Sequence, residues 1–158
     1  MKKKVLISAC LLGKKCRYNG GHSHLEELDN LDVDWVRVCP EEAGGLETPR
    51  PAAEMLGSAE SILCGKGSVI TCDGHDVTEN FIQGTKNSLQ AGLNSGAEYA
   101  ILKSRSPSCG IGGVYDGSFT NSLIDRDGIF AYLCRQKGIH CISSEDSDKI
   151  KKSLQKQK

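Results

Sequence analysis

No CxxC pair occurs anywhere in these 158 residues, although the chain carries eight cysteines. Structural zinc sites usually take their ligands as such pairs from a single turn, so the spacing does not describe a zinc ribbon or finger. An apolar run approaching the ~18 residues of a spanning helix is also missing. The apolar core of "MKKKVLISACLLGKKC" is too short before Lys14 to read as a signal peptide. The expectation is a cytoplasmic protein. In that reducing setting eight cysteines speak for metal binding or catalysis rather than for four disulfides. Charge of one sign is not in excess either, since 20 Lys and Arg balance 20 Asp and Glu. Nothing therefore steers the whole molecule toward nucleic acid or an anionic membrane, and the Lys runs "MKKK" and "KIKKSLQKQK" read as solvated faces or tails. Internal repeats, linkers and low-complexity segments are absent as well. The chain reads as one domain, long enough to bury roughly 68–70% of its unfolded surface without staples.

What is present is an alternation of strand-like and helix-like stretches. "KVLISAC" is a short apolar, β-branched run that stops at small residues, and "DWVRVCP" is a second one that Pro40 ends. "HSHLEELDNL" reads as a short helix, and "EEAGGLETPRPAAEMLG" as an irregular, extended connection. "SAESILCG" and "GSVITCDG" read as a hairpin across "GKG". The clearest helix is "DVTENFIQGTKNSLQAGLNSG", capped by Asp76 or Thr78, with Phe81, Thr85, Leu89 and Leu93 at four-residue steps and Gly96 as its stop. "AEYAILK" is apolar nearly throughout, as a strand covered on both faces is. A turn at "VYDGSF", a helix over "DRDGIFAYLCRQKG" and a last strand "IHCISS" follow. This order predicts an α/β class: a layered Rossmann-like domain with a mainly parallel sheet, helices on both faces and a small inserted hairpin.

Sorting the cysteines by these elements separates them. Cys10, Cys39 and Cys109 each fall at or just beyond the C-terminal end of a proposed parallel strand, the edge where open α/β sheets bind ligands. Cys16 lies six residues after Cys10 and can join them. Cys64, Cys72, Cys134 and Cys141 read as small buried hydrophobes. Convergent thiolates need a soft cation to offset their repulsion, which leaves an iron–sulfur cluster, zinc or no metal as the open readings. Three solitary ligands from three strand ends suit a bulky group with one open metal position, the mark of a catalytic rather than a structural site.

The neighbours of these thiols are reactive types. Glu41, two residues after Cys39, is a candidate general base. Ser106 and Ser108 flank Pro107 ahead of Cys109 and can hold a water or a substrate oxygen, and Gly110, Gly112 and Gly113 leave N–H groups open to a ligand. Arg50, held between two prolines, can pair with an anion or simply with Glu54. His22, His24 and His75 read as solvated.

The blocks "SACLLGKKCRYNGG", "VCPEEAGGLETPRPAAE", "DVTENFIQGT", "ILKSRSPSCGIGGVYDGSF" and "GIFAYLCRQKGIHCISSE" appear in order over residues 4 to 146, and together they resemble the thiouracil desulfidase family. The resemblance implies a [4Fe-4S] cluster bound by Cys10, Cys39 and Cys109. It implies an open iron that takes the sulfur of a thiocarbonyl, with Glu41 and Ser106 managing a water molecule. Ser8, Arg50, Ser108 and Gly110 are the candidate substrate contacts. Expected partners are a small thiolated base or nucleoside, with no membrane; RNA stays open as a partner although no motif indicates it, and oligomeric state is left open. The chain departs from the family pattern at Glu42 and Glu47, which add negative charge near the rim. The expected organisation is a desulfidase-like domain over residues 1–146 followed by a polar, Lys-rich tail or short helix over 147–158. A non-enzymatic module that stores or senses metal or sulfide through the same thiols is the alternative.

Overall fold

The computed structural model describes residues 2–154. Its main sheet is built from β1 (Lys3–Ser8), β2 (Val33–Val38), β5 (Tyr99–Leu102) and β8 (His140–Ser143), in the order β2-β1-β5-β8. All three pairings are parallel. Because β1 is flanked by β2 on one side and β5 on the other, successive connections diverge at its C-terminal end. Such a switch point opens a crevice between the loops.

Strand alternation explains the two layers. Val5 and Ile7, with Ile101 and Ile142, face one cluster that also takes in Leu11, Leu28, Ile150 and Leu154. Leu6, Ala100, Leu102 and Cys141 face the other, against Leu89 and Phe130. Helix α3 (Thr78–Ser95) and helix α4 (Ile129–Gln136) thus cover one face. Helix α5 (Ser147–Leu154) and a 3-10 turn at Glu26–Asn30 cover the opposite one. The expected layered α/β architecture is what is found. Ile150 is 1% exposed, so Ile150→Ala should destabilise the fold by about 2–4 kcal/mol. Chemical denaturation reads this; an unchanged midpoint would mean that α5 does not hold the sheet face.

Helix α3 is N-capped by Val77 without a side-chain bond, not by Asp76 or Thr78; Asp76 Oδ1 braces the start by accepting the Thr78 N–H at 2.9 Å, and the helix ends on Gly96 at φ 78°. Phe81, Thr85 and Leu89 are buried as their spacing predicts, but Leu93 is 41% exposed. Each four-residue step overshoots one turn by about 40°, so three steps carry position 93 out of the apolar stripe.

Two readings of the middle of the chain need correction. "SAESIL" is not a strand: Ala59–Leu63 is helix α2, whose N-cap Ser58 Oγ accepts from Ser61 N at 3.1 Å. The hairpin partner of β4 (Ser68–Thr71) is β3 (Ala53–Leu56), which lies within the stretch read as irregular. The serine cap and good helix formers outweighed the apolar residues of that run. Accordingly Cys64 and Cys72 are exposed, not buried hydrophobes, whereas Cys134 and Cys141 are buried. Pro40 does end β2, but it also starts helix α1 (Pro40–Ala43), where its missing N–H is no loss. β6 (Val114–Tyr115) and β7 (Leu123–Ile124) form a further antiparallel pair. Among the described residues no helix is long and apolar enough to cross a membrane.

Candidate active site

Cys10, Cys39 and Cys109 line one cavity of about 440 Å³ at the C-terminal edge of the sheet. Cys10 sits in the 3-10 turn Ala9–Leu12 that follows β1, with its carbonyl accepting the N–H groups of Gly13 and Ser23 at 3.2 and 2.9 Å. Cys39 is the extended residue before α1. Cys109 lies in the loop after β5, a turn closed by Gly110 N donating to Ser106 O at 2.8 Å. That loop is fixed from behind by α4, because the N–H groups of Ile129 and Phe130 donate to the carbonyls of Pro107 and Ser108 at 3.0 and 2.8 Å. Donors that a helix start would leave without partners thus rigidify the Cys109 turn.

Burial pushes the Cys109 thiol up to about 12, although Ser8 and Ser108 hydrogen-bond its sulfur and act the other way. The Cys39 thiol is also raised, first by its contact with the Cys16 thiol and then by burial. Cys16 is 2% exposed and lines the same cavity. Its hydrogen bond to the Cys10 thiol raises it to about 11, against a smaller opposite effect of Cys39. The fourth thiol of the segment therefore sits in contact with two of the three proposed ligands.

Glu41 is held from both sides. Arg50 Nε donates to Glu41 Oε1 at 3.1 Å, and Ser108 Oγ donates to Glu41 Oε2 at 3.1 Å. Ser106 Oγ lies 2.9 Å from Ser108 Oγ. A carboxylate can only accept, so the Ser108 hydroxyl proton points at Glu41 and the Ser106 hydroxyl proton points at Ser108. The two N–H groups of Ser108 and Cys109 reach Ser106 Oγ at 3.2 and 3.1 Å and fix its orientation. A directional chain thus runs Ser106, Ser108, Glu41 beside the thiols.

The other candidate contacts fall in distinct places. Arg50 is not free for an anion: beyond Glu41 it donates to Thr48 Oγ1 at 2.8 Å and to the carbonyls of Glu47 and Cys16 at 3.1 and 2.9 Å. Its partner is Glu41 and not Glu54, whose Oε1 instead accepts the N–H groups of Gly117 and Phe119 at 2.9 and 3.1 Å. Ser8 lines the cavity, but its Oγ accepts Lys103 N at 2.9 Å and braces β1 against the end of β5. Gly110 supports the turn rather than lining the cavity; a Cβ there would stand 2.7 Å from Ser106 O and 2.9 Å from Gly113 O. Glu42 turns outward to Thr48 Oγ1 at 2.6 Å and Lys14 Nζ at 3.2 Å, and Glu47 is exposed, so neither added charge faces the cavity.

Sequence reasoning missed the aromatic and cationic part of the lining. Tyr18, Tyr115 and Phe119 line the cavity together with Arg17, Lys103 and Arg105. Burial, helped by the nearby Arg17, lowers the Lys103 ammonium from its usual value.

The chain as a whole is similar to known proteins. The "Uncharacterized protein YbbK" of Bacillus subtilis (strain 168) is 39% identical over 149 residues, covering 92% of this chain and 99% of that protein. A solved structure of the "[4Fe-4S]-dependent thiouracil desulfidase TudS" superposes with a TM-score of 0.84 at 38% identity, over 94% of this chain and 95% of the other. The sequence pattern described as 2-thiouracil desulfurase matches residues 5–146. The chain belongs to the 2-thiouracil desulfurase family.

Proposed function

We propose that the protein replaces the C=S of a thiolated pyrimidine by C=O without net redox change, with a [4Fe-4S] cluster held by Cys10, Cys39 and Cys109. The observation that carries this reading is a hydrogen-bonded carboxylate, Glu41, facing the same cavity as three thiols from three separate loops. The donor set fits such a cluster: the thiols are soft ligands, and they surround a cavity. No three His, Cys, Asp or Glu side chains among the described residues are placed to hold a single metal ion. The cluster, when bound, supplies a Lewis-acidic iron that makes the thio group a better leaving group.

The chain's own residues manage the water. Glu41 Oε2, aligned by Ser108 and Arg50, takes one proton from a water lying over the thiocarbonyl carbon. Ser106, whose hydroxyl is spent on Ser108 and on two N–H groups, sets the direction of the proton chain, and Ser108 keeps one lone pair that accepts from that water. Oxygen bonds to carbon, and as the carbon–sulfur bond breaks the second water proton passes from oxygen to sulfur, which departs as hydrosulfide; once Glu41 releases the proton it took, C=S plus H₂O has become C=O plus H₂S. The pair with Arg50 holds Glu41 in one rotamer; Arg50, with donors spent on Glu41, Thr48 and two carbonyls, orients the base.

Protein loaded anaerobically with iron and sulfide should release hydrosulfide from 4-thiouracil, one per uracil formed, with no added reductant. No release from loaded protein with 4-thiouracil or with thiouridines would overturn the reaction class. Cys10→Ser, Cys39→Ser and Cys109→Ser should each lose the broad absorption near ~400 nm and most bound iron. Cys16→Ser should keep both. Iron loss on Cys16→Ser alone would overturn the three-thiolate assignment.

A further inference from the structure

Strained backbone gathers around the cavity, at one position in the loop that carries Cys109 and at two in the turn between β6 and β7. Among the described residues, the non-glycine positions with positive φ are Arg105 at 65°, Phe119 at 57° and Asn121 at 58°. All three line the cavity. A left-handed conformation is unfavourable for a bulky residue, and such outliers gather where the surroundings fix a side chain for a task.

Phe119 is the least expected of them. The chain has only three Phe, four Tyr and one Trp, yet this ring is 40% exposed and belongs to none of the three core clusters. Folding gains little from it in that position. The turn that presents it is nonetheless firmly held. Glu54, 8% exposed, is a buried carboxylate whose Oε1 accepts two N–H groups of that turn, from Gly117 at 2.9 Å and from Phe119 itself at 3.1 Å. Asp116 Oδ1 closes the same turn on Ser118 N at 2.9 Å. A buried acid spent on the backbone of this turn packs no core, but it fixes the turn that presents Phe119 to the cavity.

We propose that Phe119 is the platform on which the pyrimidine ring stacks, and that Glu54 is a positioning residue for it. This rests on the desulfuration reading above and adds to it the residue that recognises the planar ring rather than its sulfur. A stacking face is tolerant of ring substituents, so the platform accepts thiolated pyrimidines with sulfur at different ring positions and leaves discrimination to the polar groups.

The test uses cluster-loaded protein. Phe119→Ala should raise KM for 4-thiouracil about tenfold, the scale of one aromatic–base stacking contact, with kcat changed by less than about threefold. The Kd of the product uracil, measured by calorimetry, should rise by the same factor. Phe119→Tyr should restore both constants, while Phe119→Leu, apolar and of similar bulk, should not. Glu54→Ala should reproduce the Phe119→Ala shift in KM and Kd, and Glu54→Gln, which keeps an acceptor oxygen, should recover most of it. Wild-type KM in Phe119→Ala, or a Leu variant as good as Tyr, would overturn the platform while leaving desulfuration standing. Wild-type protein that neither binds nor converts any thiolated pyrimidine would overturn the functional reading and the platform with it.

Discussion

Glu41→Gln should reduce hydrosulfide release by about 10²–10⁴-fold while leaving iron and sulfide bound. The substitution keeps the shape of the side chain and its Oε1, which still accepts from Arg50 Nε. What changes is the atom facing Ser108. An amide nitrogen there donates, so the Ser108 hydroxyl loses the acceptor 3.1 Å away and must turn, with the Cys109 sulfur at 3.7 Å as its nearest alternative. Both functions of the carboxylate disappear together: it can no longer take a proton, and it no longer orders the Ser106–Ser108 chain. Arg50 does not become an orphaned cation, because Thr48 and the carbonyls of Glu47 and Cys16 still accept from it. The loss of charge complementarity in a pair whose side chains are 7% and 16% exposed should nevertheless lower stability, by about 1–3 kcal/mol. Turnover, iron content and melting temperature measured on one sample separate these effects. A protein that serves only to hold metal or sulfide would show the small stability loss and no functional loss. An active glutamine variant would remove Glu41 as the base.

The legible and illegible parts of this site differ in the range of the interactions that build them. Three solitary cysteines after three apolar runs pointed to one sheet edge because parallel strands put all their C-terminal ends on the same side, and Cys10, Cys39 and Cys109 do reach one cavity. That inference needed strand direction alone. The partner of Arg50 could not be read the same way. Glu41 and Glu54 lie on either side of it in sequence, and the choice depends on α1 turning back toward the loop, a helix hidden by a proline read only as a stop. Glu54 was illegible for a stronger reason: its two donors lie 63 and 65 residues away. Phe119 carried no sequence signal of its kind, since a positive φ on phenylalanine goes against every local preference. The four-residue series in α3 was right for Phe81, Thr85 and Leu89 and failed at Leu93, where helical drift overtakes a fixed step.

The glycine inside α3 carries the second large expectation. In an ordinary helix interior Gly84→Ala would stabilise by up to about 1 kcal/mol, since alanine restricts the unfolded chain and favours helix. Here the sign reverses. A Cβ on Gly84 would stand 1.7 Å from the carbonyl oxygen of Pro40 and 2.7 Å from the amide nitrogen of Gly44. Gly44 has the mirror constraint, with a Cβ 1.9 Å from Asn80 O. The two backbones therefore touch directly, and Asn80 Nδ2 and Asn87 Nδ2 tie the contact by donating to Gly44 O at 2.9 Å and Ala43 O at 3.2 Å. Neither neighbour is a flexible side chain, so the clash is relieved only by moving α1 as a body. Overpacking against backbone should exceed the propensity gain and leave a net loss of about 2 kcal/mol, a fall in melting temperature of about 4–8 °C. Activity should fall further than stability does, because α1 carries Glu41 and follows directly on Cys39. Displacing the base by about an ångström from Ser108 is expected to reduce turnover up to about a hundredfold even in the folded fraction. Ala91→Gly, at an exposed site of the same helix, gives the propensity effect alone and should lose about 1 kcal/mol with turnover unchanged. A Gly84→Ala protein that melts higher than the wild type would show that α1 and α3 do not meet backbone to backbone. The position of Glu41 would then need another support.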